Sequence, residues 1–151
     1  AMAHSSINSP VGIISIFAHD DAINVVEWGR VPDGDSDPLV EEAARQLKAY
    51  FAKDLTTFDL PLDPAGSAFQ RAVCDEMFAI PYGQQTTYGA IAKKLGKSAQ
   101  AVGTACGHNP IPIIIPCHRV VGADGAMTGF SGGEGVETKV QLLQHEGMLL
   151  A

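Results

Sequence analysis

The sequence predicts an α/β N-terminal lobe followed by a mainly helical C-terminal lobe. Ile- and Val-rich runs with interspersed polar residues dominate the start of the chain, and apolar residues at helical spacing dominate from Ser67 onward. An irregular, proline-containing linker, Asp54–Ala65, separates them. We assign residues 1–60 to the N-terminal lobe and 64–151 to the C-terminal lobe. With 151 residues, 46% of them hydrophobic, the chain can bury a core and is neither disordered nor fibrous in composition.

The N-terminal lobe is expected to contain an antiparallel hairpin and one helix. Gly12–Ala18 and Ala22–Trp28 have the composition of strands, and residues 19–21 between them suit a tight turn. After a polar loop, Asp37 can cap a helix that has Pro38 at its first position, with apolar side chains at helical spacing behind it.

The C-terminal lobe is expected to begin with three capped helices. Ser67, Thr87 and Ser98 each precede an amphipathic segment and can accept a hydrogen bond from its first turn. Gly96 is placed to end the second helix, and the third reaches about Gly107. Two short helices joined at this glycine fit a helix-turn-helix, although tight helix pairs also occur in many other domains.

The rest of the lobe alternates between apolar and glycine-rich segments. Ile111–Ile115 is a β-branched run between two prolines and is expected to be a buried strand. Gly122–Gly135 is rich in glycine and is expected to be a loop, and Val136–Glu146 is expected to be a helix.

The charge distribution modifies what the net charge suggests. The formal net charge of −7 disfavours a nucleic-acid partner when the chain is taken whole. From Met77 to Ala123, however, there is no Asp or Glu, and the charged residues are Lys93, Lys94, Lys97 and Arg119. This pattern predicts an anion-facing surface on an acidic body, with chance clustering as the alternative.

The cysteine count and the hydropathy bear on the compartment. Three cysteines without Cys-x-x-Cys spacing argue against a disulfide framework and favour the reducing cytoplasm. No segment approaches the roughly 18 consecutive apolar residues of a membrane span, so no membrane partner is expected.

Cys117 is the candidate nucleophile. It follows an apolar run within Pro116-Cys117-His118-Arg119, where it can be presented to a pocket. A nearby imidazole or cation lowers the pKa of a thiol and raises its thiolate fraction, so we expect an activated cysteine. The alternative for any single cysteine is a small buried hydrophobic residue.

The hexapeptide Ile115–Val120 resembles the active-site signature of the methylated-DNA–protein-cysteine methyltransferases, which repair O6-alkylguanine. Ala101–Gly103 and Asn109–Pro110 precede it at the family's spacing, and residues 129–132 and 142–147 follow it. The resemblance is strong over the C-terminal lobe, whereas the N-terminal lobe is similar in pattern only.

The resemblance implies a fold and a reaction. The fold is a ribonuclease-H-like N-terminal lobe, an antiparallel sheet plus a helix, followed by a C-terminal lobe with a winged helix-turn-helix-like DNA-binding element. The reaction is direct-reversal DNA repair, in which Cys117 irreversibly and stoichiometrically takes the alkyl group from O6-alkylguanine, with O4-alkylthymine as a second substrate. Such a single-turnover S-methyltransferase needs no cofactor, and no metal is expected here.

The resemblance also assigns roles to side chains around the nucleophile. His118 accepts the thiol proton through a bound water, and Glu146 orients the imidazole and stabilises its cation. Asn109 braces the loop, and the Tyr88 hydroxyl donates to N3 of the purine. The residues implied to contact the base are the backbone groups of Val120 and Ser131 and the pocket walls Pro112 and Phe130.

Double-stranded DNA with an alkylated guanine is the implied partner, bound through the minor groove by a monomer that flips the base out of the stack. Gln100 stands where the family usually has an Arg that fills the space of the extruded base. The residues expected to contact DNA are Gln100, Thr87, Lys97, Ser98, Ala99, Ala101, Gly103 and Arg119.

Two other function classes stay open from the sequence. A cysteine hydrolase could use Cys117, His118 and Glu146, but it would need an oxyanion hole and repeated turnover. A lesion sensor would bind alkylated DNA without transfer, and proteins of that kind lack the reactive cysteine.

Overall fold

The structure is a computed structural model that describes residues 2–32, 34–128, 130 and 132–148. Its strands and helices, in chain order, are β1 (Ala3–Ser9), β2 (Gly12–His19), β3 (Ala22–Trp28), α1 (Pro38–Phe51), α2 (Ala68–Phe78), β4 (Thr86–Thr87), α3 (Tyr88–Leu95), α4 (Ala99–Gly107), β5 (Val120–Val121) and α5 (Val136–His145). One-turn 3-10 helices occur at Cys117–Arg119 and Ala123–Gly125.

The N-terminal sheet is antiparallel, in the order β1-β2-β3. The predicted hairpin is confirmed, since His19 pairs with Ala22 across Asp20–Asp21. Both turn residues have positive φ, 51° and 61°, as a two-residue type I′ turn requires. β1 is an addition to the prediction. Its buried positions are Ala3 and Ile7, and polar residues of low strand propensity fill the rest.

Helix α1 begins where the sequence predicts. The Asp37 carboxylate accepts a hydrogen bond from the Val40 N–H at 2.8 Å, and Pro38 occupies the first turn. The helix packs its apolar face on the sheet, with Leu47 and Tyr50 fully buried. The end of this face carries the Tyr50 hydroxyl to the C-terminal lobe.

Main-chain hydrogen bonds join the lobes along β3. The Ile23 N–H donates to the Pro61 carbonyl of the linker at 2.8 Å. Further along the strand, the Val26 N–H donates to the Pro110 carbonyl at 2.9 Å. The sheet is thereby fixed against the C-terminal lobe beside the loop that leads to the candidate nucleophile.

The helices of the C-terminal lobe confirm the predicted caps. Ser67, Thr87 and Ser98 each accept a hydrogen bond from the N–H of the third residue of the following helix. Gly96 ends α3 in the left-handed conformation, with φ 68°. Helices α3 and α4 pack together as the helix-turn-helix, α2 packs on α4, and β4 pairs in parallel with β5 beside them. The predicted fold class is confirmed.

The expected strand at Ile111–Ile115 is wrong. The run is buried as expected, but the Ile114 N–H donates to the Pro112 carbonyl at 2.9 Å, which closes a turn around Ile113. Ile113 has φ 73°, an unusual conformation for a β-branched residue and the strained form of a γ-turn. The apolar β-branched run therefore indicated burial but not extension.

The last helix, α5, confirms the prediction to within one residue. The glycine-rich segment before it forms a 3-10 turn at Ala123–Gly125 within its described part. Across the described ranges, no helix combines the length and the apolar character needed to cross a membrane.

Candidate active site

Cys117 is the first residue of the 3-10 turn Cys117–Arg119, directly after the buried loop. Its backbone N–H donates to the Ile115 carbonyl at 2.8 Å, and the residue is 6% exposed. Cys74 and Cys106 are also free and buried. Burial raises the pKa of Cys74 to about 11 and that of Cys106 to about 12, so both are protonated packing residues at neutral pH.

His118 and Glu146 form a buried pair, with His118 Nε2 2.7 Å from Glu146 Oε2 and both side chains fully inaccessible. Because an ionised carboxylate can only accept, Nε2 carries the proton, and the neutral imidazole keeps Nδ1 as an acceptor. Among the described residues, this Nδ1 is buried and has no protein hydrogen-bond partner. The ring therefore holds one available acceptor in the interior.

Glu146 is the hub of the buried network. The Tyr50 hydroxyl donates to Oε2 at 2.7 Å, and the Gly83 N–H donates to Oε1 at 3.1 Å. Arg119 makes two hydrogen bonds to the carboxylate, from Nε to Oε1 at 2.8 Å and from Nη2 to Oε2 at 2.9 Å. Burial alone raises the pKa of the Glu146 carboxyl, but the hydrogen bonds from His118 and Arg119 outweigh burial. The pKa lies below its ordinary value, and Glu146 is a carboxylate at neutral pH.

The expectation of an activated Cys117 thiol with a lowered pKa is wrong. Burial raises that pKa above its ordinary value of 9.0, and the hydrogen bond from Asn109 and the charge of Lys139 offset only part of the rise. Burial also lowers the pKa of His118 below its ordinary value of 6.5, against the opposing effect of Glu146. The thiol and the imidazole are therefore both neutral at neutral pH.

Asn109 holds the loop before the nucleophile. Its Nδ2 donates to the Ile115 carbonyl at 2.8 Å, and its Oδ1 accepts from the Ile111 N–H at 3.0 Å. One side chain thus ties both ends of the loop together and maintains the positive φ of Ile113. The same side chain also contacts the Cys117 thiol, whose pKa it lowers.

Tyr88 lies at the start of α3 beside a buried lysine. Its hydroxyl donates to the Thr128 carbonyl at 2.7 Å. The Lys139 ammonium donates to the Tyr88 hydroxyl at 3.3 Å and to the Val120 and Thr128 carbonyls at 2.6 Å each. Burial lowers the pKa of Lys139, and these oxygen acceptors satisfy its three donors. The network fixes the tyrosine hydroxyl close to the Val120 carbonyl.

A cleft of about 450 Å³ opens at the Cys117 thiol. The expected pocket walls Pro112 and Phe130 both line it, and residues 25–28 of β3 form another side. The N-terminal lobe therefore contributes directly to the cleft. Ser131, the expected support for O6, lies outside the described residues.

The helix-turn-helix presents a second groove of about 560 Å³ on its exposed side. Four of the residues expected to contact DNA line it, namely Thr87, Ala99, Gln100 and Gly103. Ser98 and Ala101 line an adjoining groove between α2 and α4. Lys97 is exposed, with its ammonium 5.9 Å from the centre of the Phe69 ring. The structure thus brings all of these residues to one face.

Arg119 does not belong to this face, so its expected DNA contact is wrong. The residue is 5% exposed, and Nη1 donates to the Ile80 carbonyl at 2.6 Å while the rest of the guanidinium binds Glu146. The basic residues of the acid-free stretch that do reach the surface are Lys93, Lys94 and Lys97. Of these, Lys94 pairs with Glu76 at 2.9 Å.

A buried thiol beside a histidine–carboxylate pair, carried next to a helix-turn-helix, defines a DNA-binding protein with a nucleophilic cysteine. Two family models match nearly the whole chain. The ribonuclease-like domain of 6-O-methylguanine DNA methyltransferase matches residues 2–64, and the DNA binding domain of the same enzyme matches residues 68–148. The chain belongs to the 6-O-methylguanine DNA methyltransferase family.

Relatives and solved structures agree with this assignment. The methylated-DNA–protein-cysteine methyltransferase of Methanosarcina acetivorans is 41% identical over 97% of this chain and 99% of that protein. The crystal structure of Mycobacterium tuberculosis O6-methylguanine methyltransferase has a TM-score of 0.85 and 39% identity, over 97% of this chain and 93% of that one. The M. tuberculosis OGT in complex with DNA has a TM-score of 0.84 and 41% identity, over 95% and 92% of the two chains.

Sequence reasoning missed Tyr50 and Lys139 in the network. Tyr50 lies on the apolar face of α1, where a core position is expected, and no local pattern indicates a partner 96 residues away. Lys139 did leave a signal, because it lies three and four residues before the buried Leu142 and Leu143 and so falls on the buried face of α5. No group of three or more His, Cys, Asp or Glu side chains within the described ranges could hold a metal ion.

Proposed function

We propose that this chain repairs DNA by moving an alkyl group from O6 of guanine to Cys117, once per protein molecule. The observation that carries the proposal is the buried Nδ1 of His118. It has no protein hydrogen-bond partner within the described part of the chain, its ring is held through Nε2 by Glu146, and it belongs to the residue next to the nucleophile. The relatives from Methanosarcina acetivorans and Mycolicibacterium paratuberculosis are both named methylated-DNA–protein-cysteine methyltransferase, which supports the same reaction.

The proton moves before the alkyl group does. Because the thiol and the imidazole are both neutral at rest, His118 Nδ1 takes the Cys117 proton through a water when the lesion is bound. The imidazolium that forms is stabilised by the Glu146 carboxylate, as in a catalytic triad. The thiolate is therefore generated at the moment of reaction and is not stored in the free protein.

Alkyl transfer is a single displacement. The sulfur–carbon bond forms as the bond between carbon and O6 breaks, and the electron pair of that bond goes to guanine. When the base is bound, the Tyr88 hydroxyl gives up its hydrogen bond to the Thr128 carbonyl and donates to N3 instead, which stabilises the departing guanine anion. The hydrogen bond from Lys139 holds that hydroxyl in position. The guanine anion then takes up one proton, which balances the proton that the thiol gave to His118. The products are guanine and an S-alkyl cysteine, so one protein repairs one lesion without a cofactor.

The cleft beside the thiol receives the lesion. Pro112 and Phe130 line it, which supports their role as walls for the substrate. The carbonyl of Val120 reads the exocyclic amine of guanine, and the backbone amide of Ser131 supports O6. The base reaches the cleft only after it has left the duplex, since chemistry on a stacked base is blocked.

The helix-turn-helix holds the DNA by its minor groove. Helix α4 presents small residues at Ala99, Ala101 and Gly103, which permit close approach to the groove floor. Thr87, Lys97 and Ser98 contact the phosphates, and Gln100 fills the space of the extruded base. We place this activity in a monomer in the cytoplasm, where a free thiol stays reduced. Its two lobes are residues 1–60 and 64–151.

The test is an adduct measurement. The protein is incubated with a duplex containing O6-methylguanine and digested, and the mass of the peptide that contains Cys117 is measured by mass spectrometry. We expect a permanent gain of one methyl group on that peptide, absent in Cys117→Ala and retained in Cys74→Ala. An unmodified thiol with retained lesion binding would indicate a sensor, and repeated turnover of an ester or amide would indicate a hydrolase. Either outcome contradicts the proposal.

A further inference from the structure

We propose that Trp28, in the N-terminal lobe, determines which alkyl groups the cleft accepts. The inference rests on the proposed transfer to Cys117, and it assigns substrate selection to a residue outside the C-terminal lobe. Three observations carry it: the anchoring of the indole, its contact with the glycine-rich loop, and its position in the cleft.

The indole is held in one orientation by its own lobe. Trp28 ends β3, and its Nε1 donates to the carbonyl of Val11 at 2.9 Å, in the turn between β1 and β2. Its ring meets Phe130 edge to face, with centroids 5.9 Å apart and planes at 82°. Because the indole is anchored on the sheet, it is the fixed member of this pair, and the position of the Phe130 ring depends on it.

The glycines after Phe130 lie directly on the same ring. A side chain at Gly132 would overlap the six-membered part of the indole, and a Cβ at Gly133 would lie 3.0 Å from its Nε1. Gly133 also has φ 52°, which disfavours any other residue. Gly132 and Gly133 thus present no side chains where they lie against Trp28, and the indole limits how closely this part of the chain approaches the cleft.

The indole also forms part of the cleft itself. Trp28, Phe130 and Pro112 line the same space as the Cys117 thiol. A methyl group transferred to sulfur needs little of this space, whereas a benzyl group must occupy the volume that these side chains enclose. Removing the indole enlarges that room and releases Phe130, so the effect must depend on the size of the alkyl group.

The test compares two substrates in one protein. Single-turnover rate constants are measured for the full chain with duplexes containing O6-methylguanine or O6-benzylguanine. We expect Trp28→Ala to raise the benzyl-to-methyl ratio of rate constants by about tenfold, the scale on which small changes in a pocket discriminate. Trp28→Leu keeps an apolar side chain and should raise the ratio by about threefold. It provides the test if the alanine variant fails to fold. Phe17→Ala removes an aromatic ring elsewhere on the sheet and should leave the ratio unchanged.

The methyl substrate serves as the internal control, because a merely structural defect slows both reactions together. A ratio within twofold of the wild type in both Trp28 variants would overturn the role of Trp28, even if both rates fell. A wild-type protein that forms no adduct with either duplex would instead overturn the proposed function, and this inference with it.

Discussion

The two lobes contribute to the candidate active site in different ways. The C-terminal lobe supplies Cys117, His118 and Glu146, two of them adjacent in sequence and the third at the end of α5. The N-terminal lobe supplies Tyr50 and Trp28, which reach the site only through packing between the lobes. The difference teaches that a candidate nucleophile and its neighbour, Cys117 and His118, are recognisable from local sequence, whereas the groups that hold them are visible only in the folded chain.

The lobes also differ in the charge that they bury there. Glu146, Arg119 and Lys139 are buried ions of the C-terminal lobe, whereas the contributions of Tyr50 and Trp28 are neutral. A buried charge that loses its partner costs more than a lost neutral hydrogen bond. Substitutions in the C-terminal lobe should therefore have the largest effects, and those in the N-terminal lobe smaller ones.

The largest effect is expected for Glu146→Gln. The amide cannot stabilise the imidazolium of His118 or neutralise the buried Arg119. We expect the rate constant of alkyl transfer to fall by about 10²- to 10⁴-fold, the scale of a lost acid–base group. The free energy of unfolding should fall by about 3–5 kcal/mol, because a buried pair has been broken. Single-turnover kinetics and urea denaturation measure these changes.

Glu137→Gln is the matched control for that substitution. It removes the same charge from an exposed position in the first turn of α5, the helix that Glu146 directly follows. It should leave the rate constant unchanged and lower the free energy of unfolding by less than about 1 kcal/mol. A Glu146→Gln protein that kept its rate within threefold of the wild type would contradict the role of the carboxylate.

Acid should destabilise the protein in two stages, both through the C-terminal lobe. The folded pKa of His118 lies below 6.5, so below about pH 6.5 the unfolded chain binds a proton that the folded chain refuses. The folded pKa of Glu146 lies below 4.5, which adds a second loss of the same sign below about pH 4.5. The contribution of these two groups to stability is thus fully present above pH 6.5 and is lost as the pH falls.

Denaturation midpoints measured from pH 8 to pH 4 check this dependence. His118→Gln should flatten the upper stage, because its side chain takes up no proton in either state. A wild-type midpoint that stayed constant between pH 6.5 and pH 5 would contradict the neutral, buried imidazole.

A smaller effect is expected for Tyr50→Phe, the contribution of the N-terminal lobe to the hub. Glu146 Oε2 loses one of its three donors but keeps His118 and Arg119, so the free energy of unfolding should fall by only about 1–2 kcal/mol. The less saturated carboxylate attracts the proton of His118 more strongly, which raises the pKa of the imidazole. The acid limb of the pH–rate profile of alkyl transfer should therefore move to higher pH.

Tyr82→Phe is the control for this effect. The Tyr82 hydroxyl makes only a 3.5 Å contact with the His145 carbonyl, so its removal should leave the pH–rate profile in place. An unshifted profile in Tyr50→Phe as well would show that the hydroxyl supports packing alone.

Much of the fold and part of the site could be predicted from the sequence because the relevant signals are local. The caps at Ser67, Thr87 and Ser98 depend on residues three positions apart, and the expected contact between His118 and Glu146 is present. The strand predicted at Ile111–Ile115 is wrong because apolar side chains indicate burial but not backbone conformation. The conformation of this run depends on hydrogen bonds to the Asn109 side chain.

The rest of the site depends on contacts that no local spacing encodes. The burial of Arg119 follows from its partners Glu146 and Ile80, which lie 27 and 39 residues away. The raised pKa of the Cys117 thiol follows from desolvation by the whole fold, which outweighs its immediate neighbours. Adjacency in sequence therefore did not predict the resting protonation of Cys117 and His118.

The smallest effect is expected for Gln100→Arg, which sharpens the contrast in surface charge between the lobes. Gln100 is exposed on α4, within the acid-free stretch, and lines the groove of the helix-turn-helix, whereas the acidic surplus lies mostly in the N-terminal part of the chain. An arginine there can enter the minor groove and release a counterion, so the dissociation constant for a lesion duplex should fall by about three- to tenfold. The slope of log K against log salt concentration should be steeper by about 0.9.

Gln141→Arg adds the same charge at an exposed position on α5 and separates a local effect from one of net charge. Equal tightening in both variants, measured by fluorescence anisotropy from 50 to 200 mM salt, would mean that net charge alone limits binding, and the special position of Gln100 would be lost.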